Sequence, residues 1–257
     1  METLADVAAY LRAEPLKYIV HLKMLAAYPQ QLVWYAEQCG GQSGVALLIP
    51  AAIFPYDAKA YPGSDWVVLL AASVPEVAQR LVQRLPRQSK LVFKLVDELS
   101  KAAVFEIFPA RRVTAFVSFT SRGCVFLPDA DVVVSRELDP RLLPCYQSNG
   151  YSETEMKHYF QQGALSFSLY ADEALATCFV FRNYEQIWEI GGVYTAPEQR
   201  RKGLAKRVVS TALSALLEQG KTPRYQVAET NLASLRLAEN LGLERFVITE
   251  HYLFSAV

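Results

Sequence analysis

A chain of 257 residues suits one large domain or two small ones. Hydrophobic residues make up 52% and charged residues 20%, which excludes wholesale disorder and supplies a sizeable core. Lys and Arg total 26, as do Asp and Glu, so the formal net charge is zero and a dedicated polyanion binder is disfavoured.

In chain order, Leu4–Leu11 has helical spacing. Leu16–Cys39 also reads as helix, bent or broken at Pro29, which lacks an N–H and clashes with the preceding turn. Val45–Ile49 and Trp66–Ala71 are short apolar, β-branched runs and predict buried strands. Ser73-Val-Pro-Glu76 has the spacing of a capping box with an early proline and predicts a helix to about Leu85. Strands follow at Leu91–Leu95 and Val113–Thr120, with a helix over Asp97–Phe105 between them. This half has no nucleophile elbow, P-loop or GxGxxG. Turn chemistry over Thr120–Asp131 puts the expected boundary there, giving an N-terminal α/β domain over 1–125 and a second domain over 126–257.

The second half predicts a strand at Val132–Arg136 and a helix from Ser152 to Gln161, then a meander of Leu165–Ala171, Ala174–Asn183 and Ile187–Thr195. A helix over Gly203–Gln219 stops at Gly220, as a glycine just past a helix end predicts. Tyr225–Ala228 is a strand, Asn231 caps a helix to Leu241, and Glu244–Phe254 closes the chain as a strand. The expected class is α/β (α+β), a mixed, mostly antiparallel sheet flanked by helices.

Cys39, Cys124, Cys145 and Cys178 have no CxxC spacing, and His21, His158 and His251 lie far apart, so no metal site is legible. Cys178, mid-strand, reads as a buried inert thiol rather than a nucleophile. The first residues lack the basic region of a signal peptide, and the longest apolar runs fall short of the roughly 20 residues that span a bilayer. A cytoplasmic protein with reduced thiols is the expectation, with no membrane partner.

Chemistry concentrates at Arg200-Arg201-Lys202-Gly203-Leu204-Ala205, between a strand end and an amphipathic helix. A helix N-terminus presents four N–H groups without intrahelical partners and the positive end of the macrodipole. Gly203 permits close backbone approach, Ala205 keeps the first turn narrow, and Arg200, Arg201 and Lys202 add positive charge. The combination suits a pyrophosphate. The alternative is a solvated basic turn, although such charge opposes the dipole when no anion is present. Nucleic-acid binding by Arg200–Arg207 is the weaker reading, since no aromatic stacking platform flanks it.

The stretch Val193-Tyr-Thr-Ala-Pro-Glu-Gln-Arg-Arg-Lys-Gly-Leu-Ala205 resembles the acetyl-coenzyme-A signature of the GNAT superfamily of N-acetyltransferases, Arg/Gln-x-x-Gly-x-Gly/Ala, filled by Arg200, Gly203 and Ala205 with Pro197 upstream. Asn231-Leu-Ala-Ser234 through Leu241-Gly242-Leu243 resembles its second signature, with Leu243 in place of phenylalanine. The match covers about residues 131–257. It implies acetyl-CoA as co-substrate, no metal, and a GNAT acyl-CoA N-acyltransferase fold in the second half. It also implies that Ile187–Thr195 splays from Tyr225–Ala228, with pantetheine pairing to the backbone of Val193, Tyr194 and Thr195. The amides of Arg201, Lys202, Gly203, Leu204 and Ala205 would hold the pyrophosphate, and Asn231 and Ser234 would meet the pantetheine or thioester end. Asn231 also reads as an ordinary N-cap.

Attack of an amine on a thioester needs the amine neutral and a proton for the leaving thiolate. Glu189 stands where the resemblance implies a base; its other reading is a structural ion pair. A tyrosine acid four residues before Gly242 is missing, since Ala238 stands there; Tyr252, Tyr194, Ser234 or a water are the substitutes. An undefined first domain before a GNAT-like second one resembles the glycine N-acyltransferase-like branch and the zwittermicin-resistance acetyltransferases, implying a degenerate GNAT-like N-terminal domain. Trp34, Tyr35, Phe54, Tyr56, Tyr61 and Trp66 read as an acceptor-site wall or as core. The expectation is a monomeric or homodimeric N-acetyltransferase of a small-molecule amine or amino acid, the alternative being a non-catalytic CoA-binding sensor.

Overall fold

The computed structural model describes residues 1–255. In chain order the elements are α1 (Leu4–Leu11), α2 (Ile19–Ala27), β1 (Val33–Cys39), β2 (Gln42–Pro50), α3 (Pro55–Ala60), β3 (Trp66–Ala72), α4 (Pro75–Gln83), β4 (Leu91–Leu95), α5 (Glu98–Ile107) and β5 (Arg111–Thr120). They continue with β6 (Val133–Ser135), α6 (Leu143–Ser148), α7 (Glu153–Gln161), β7 (Leu165–Tyr170), β8 (Ala174–Tyr184), β9 (Ile187–Thr195), α8 (Leu204–Glu218), β10 (Thr222–Ala228), α9 (Leu232–Asn240) and β11 (Glu244–Phe254). Two compact units result among the described residues: 1–117 with 247–255, and 118–246. The division thus falls earlier than the turn-rich stretch suggested, and most of β11 returns to the first unit.

The two halves repeat one element order. A helix pair is followed by three antiparallel strands, a helix, a strand parallel to the third, another helix and a closing strand. In the first half α1 and α2 lead into β1–β2–β3, with β4 parallel to β3 across α4. In the second, α6 and α7 lead into β7–β8–β9, with β10 parallel to β9 across α8. A parallel pair needs a crossover, and a helix supplies it in each case. The first half inserts α3 between its second and third strands, and the second half adds β6 before its helix pair.

In the first unit the strand order is β1-β2-β3-β4-β11-β5. The strands β3 and β4 are buried almost throughout, which is why Trp66–Ala72 and Leu91–Leu95 read as unbroken apolar runs rather than alternating ones. The helices α4 and α5 cover one face, packing Val77, Leu81 and Val104 onto Val68, Leu70 and Phe93. Two expectations are corrected here. Residues 33–39 form β1, not helix, because Pro29 and the turn after it end α2 and the hairpin partner β2 pairs with Val33–Cys39 over its full length. Ser73 caps no helix: its hydroxyl donates to the Ser43 carbonyl and accepts from the Ser43 amide, and Val74 occupies the N-cap position. Of the six aromatics, Tyr35 and Trp66 pack on the core, while Phe54 and Tyr56 stand over the buried Lys94.

In the second unit the order is β10-β9-β8-β7-β6. One face carries α6 and α7, whose Tyr146 and Met156 pack against Phe179 and Phe181. The amphipathic α8 buries Val208, Val209, Ala212, Leu213 and Leu216. Gly220, with φ +64°, ends this helix in the left-handed conformation that only glycine adopts without cost. Among the described residues no helix is long and apolar enough to cross a membrane.

Candidate acyl-donor and reaction site

The site forms at the end of the parallel pair in the second unit. The register of β9 with β10 runs from Ile187↔Thr222 to Ile190↔Tyr225 and ends there, although both strands continue. Beyond that point they part, and the remaining backbone of β9 loses its partner on that side. On its other edge β9 carries a bulge: Phe179 lies opposite Gly191 and Thr177 opposite Tyr194. Gly192 takes φ +60° in the bulge, and a Cβ there would come within 2.8 Å of the Phe179 and Tyr146 rings. The Gly191-Gly192 doublet inside a strand pattern could have signalled this bulge, which the sequence reading missed.

Val193, Tyr194 and Thr195 close β9, all half-buried. The Val193 carbonyl accepts from Asn149 Nδ2 at 3.3 Å, and the Thr195 carbonyl accepts from Arg200 Nε at 3.3 Å. A single turn of 3-10 helix, Pro197–Gln199, leads to Arg200 and Arg201. Arg201 has φ +63° and Gly203 φ +80°, two left-handed residues that fold the loop over the start of α8. No side chain caps α8 and its first turn holds no acid, so the amides of Leu204, Ala205 and Lys206 lack the usual side-chain acceptor. Open space surrounds the position a Gly203 Cβ would take. Arg200, Arg201 and Lys202 are exposed, and Lys202 donates to Gln199 Oε1 at 2.9 Å. An uncapped N-terminus with open space and three cations beside it favours a bound anion. Arg207, in contrast, is neutralised by Asp129 and Asp131 through three contacts of 2.5–2.9 Å.

Glu189 is buried, 7% exposed, on the α6/α7 face beside Phe181. Its Oε2 lies 2.5 Å from Arg224 Nη1 and 2.8 Å from Asn183 Nδ2, and its Oε1 accepts from the Gln226 amide at 3.2 Å. Arg224, 3% exposed, also donates to Ser118 Oγ at 3.0 Å. Arg224, Asn183 and Gln226 escaped the sequence reading. Arg224 lies just before the apolar run that marked its strand, and only the parallel register brings it opposite Glu189.

Asn231 is an N-cap, its Oδ1 accepting from the Ser234 amide at 3.1 Å. The Ser234 hydroxyl bonds the phenol of Tyr225, at the point where β10 leaves β9; burial raises that phenol to about 12. Cys178 is fully buried and its thiol is pushed up by desolvation alone, as an inert thiol should be. Tyr252, read above as a substitute acid, belongs to the first unit, where its ring packs in the core against Phe105 at 5.0 Å, because β11 pairs there with β4 and Tyr252 falls opposite Phe93. Among the described residues no group of His, Cys, Asp and Glu could hold a metal.

The model of the GNAT acetyltransferase family matches residues 149–252, a segment that holds β9, the loop and α8. A comparison with curated proteins finds no sequence match. Among solved structures, an acetyltransferase of the GNAT family from Colwellia psychrerythraea is similar over 99% of this chain and 98% of that one, at 13% identity and a TM-score of 0.62. A GCN5-related N-acetyltransferase from Kribbella flavida is similar over 96% and 95%, at 15% identity and 0.58. A tandem GNAT protein from the clavulanic acid biosynthesis pathway is similar over 93% and 88%, at 12% identity and 0.54. At such identities the likeness is one of fold. The family match covers residues 149–252, less than half of the chain, and the solved structures add a likeness of fold.

Proposed function

We propose that the protein is an acyl-CoA-dependent N-acyltransferase, with acetyl-CoA as donor and the amine of a small molecule or amino acid as acceptor. The observation that carries this reading is the uncapped, open N-terminus of α8 beneath Arg200, Arg201 and Lys202, reached directly from a strand whose parallel neighbour has parted. The loop would hold the pyrophosphate through the amides of Arg201 to Ala205. The pantetheine would lie along Val193, Tyr194 and Thr195, whose edge the departing β10 leaves unpaired, and reach toward Asn231 and Ser234. Glu189 is the candidate base, acting on the amine directly or through water. The repeated element order and the likeness to a protein described as tandem support a degenerate GNAT-like first half, in the manner of the glycine N-acyltransferase-like and zwittermicin-resistance branches. A cytoplasmic location is part of the proposal.

The test is calorimetric titration with acetyl-CoA, followed by thiol release across an amine panel. Gly203→Val should lower acetyl-CoA affinity at least tenfold, by filling the open space and straining a φ of +80°. Unchanged affinity would sink the cradle assignment. A second reading, a CoA-binding sensor without turnover, is favoured by one observation: both Glu189 oxygens are already bound. Tight acetyl-CoA binding with no thiol release from any amine would select it.

A further inference from the structure

We infer that the first unit carries a small-molecule site of its own, shaped for a free α-amino acid with an apolar or aromatic side chain, where its parallel strands end. The register of β3 with β4 runs from Trp66↔Leu91 to Leu69↔Lys94 and stops there, although β3 continues to Ala72. A cavity of about 410 Å³ opens at that end, and Tyr10, Glu14, Lys17, Tyr18, Ala72 and Asp97 lie on its wall. That volume suits one small metabolite. A pyrophosphate-bearing coenzyme finds no cradle beside it. Only Ser73 and Val74 join β3 to α4, Pro75 removes an amide from the first turn, and Glu76 puts a negative charge there. The site is independent of acyl transfer in the second unit.

The wall presents one cation and two anions, held in place before a ligand arrives. Lys17 Nζ lies 3.1 Å from Asp97 Oδ2, 4.0 Å from Glu14 Oε1 and 4.9 Å from the centre of the Tyr18 ring. Asp97 is fixed as the N-cap of α5, its Oδ1 accepting from the Ser100 amide at 2.8 Å. The Lys17 and Asp97 side chains remain 27% and 20% exposed, so a ligand in the cavity can reach both. The aromatic wall is equally fixed. The Tyr10 phenol donates to the Ser43 carbonyl at 3.0 Å, and the Tyr18 ring stands edge-on to His21 at 5.2 Å. Such anchoring lowers the entropic cost of binding. A simple anion would meet two carboxylates against one ammonium, and a simple amine would compete with the Lys17 ammonium. A zwitterion meets neither obstacle. Its carboxylate pairs with Lys17, its ammonium with Asp97 and Glu14, and its side chain lies against the Tyr10 and Tyr18 rings.

Calorimetric titration of the full chain with L-phenylalanine tests this. Phenethylamine, which lacks the carboxylate, and N-acetyl-L-phenylalanine, which lacks the ammonium, should each bind more weakly by about tenfold or more. Lys17→Met and Asp97→Asn should each weaken L-phenylalanine by a similar factor. Asparagine also caps helices, so Asp97→Asn removes the charge while α5 keeps its start. The two analogues probe the unaltered chain, and their result stands where a variant does not fold. Unchanged affinity in both variants would place the amino acid elsewhere and overturn the assignment. So would equal binding of either analogue, or no binding of L-phenylalanine at millimolar concentration.

Discussion

The buried pair of Glu189 and Arg224 allows structural and chemical roles to be separated. Arg224→Met removes a guanidinium that is 3% exposed and keeps most of the side-chain volume. Glu189 is then left with the Asn183 amide and the Gln226 N–H against a full negative charge. Removing one partner of a buried pair costs about 3–5 kcal/mol, because the survivor remains charged and desolvated. For a chain of this size each kcal/mol moves the midpoint by about 2–4 °C, so a loss of about 10 °C is expected. Glu189→Gln should cost a similar amount, stranding Arg224, whose Nε already lacks a partner. The double variant Glu189→Gln/Arg224→Met buries no charge and should recover most of the loss. Differential scanning calorimetry measures all three. A cost under about 1 kcal/mol for either single change would refute the reasoning, since it would mean that water or a rearranged donor compensates the orphaned charge. Activity adds a second axis. If Glu189 is the base, the double variant regains stability but not turnover; if it is only half of an ion pair, it regains both.

Two other outcomes follow from burial in the same way. His21 is fully buried, its Nε2 at 3.1 Å from the Leu70 carbonyl, and desolvation lowers it to about 4, while His251 falls to about 3 through burial and the nearby Lys94. A lowered folded-state pKa gives stability that is complete above the unfolded value near 6.5 and lost as pH falls below it. Urea unfolding from pH 7 to pH 4 should therefore show stability falling by about 3 kcal/mol from His21 alone, and His21→Asn should flatten that dependence; a flat wild-type profile would refute it. Of the four thiols, Cys39 and Cys124 are half-buried and Cys145 and Cys178 buried. A thiol reagent should label at most the first two in the native protein, and modification of Cys178 before unfolding would contradict its position.

The sequence alone carried the features whose cause is local. Gly203, Ala205 and the cations before them announce an uncapped, basic helix start because that pattern is contained in six consecutive residues. The same holds for the Asn231 cap and the Gly220 stop, and for β7, β8 and β9, whose hairpins are short. Other features needed tertiary structure because their cause is a partner far along the chain. Residues 33–39 are strand only because β2 pairs with them, against a helical pattern of their own. Ser73 has the spacing of a helix cap, yet a backbone thirty residues away takes its hydroxyl. Glu189 reads as a base or as half of an ion pair, and only the parallel register sets Arg224 against it as the partner. Tyr252 shows the converse: a plausible acid by sequence, it is drawn into the first unit's core because β11 pairs with β4. Helix caps and loop cradles are local hydrogen-bonding and electrostatic matters. Ion pairs, bulges and strand partners depend on which segments the fold brings side by side, and pairing across such separations is decided by burial of the whole sheet rather than by neighbouring residues.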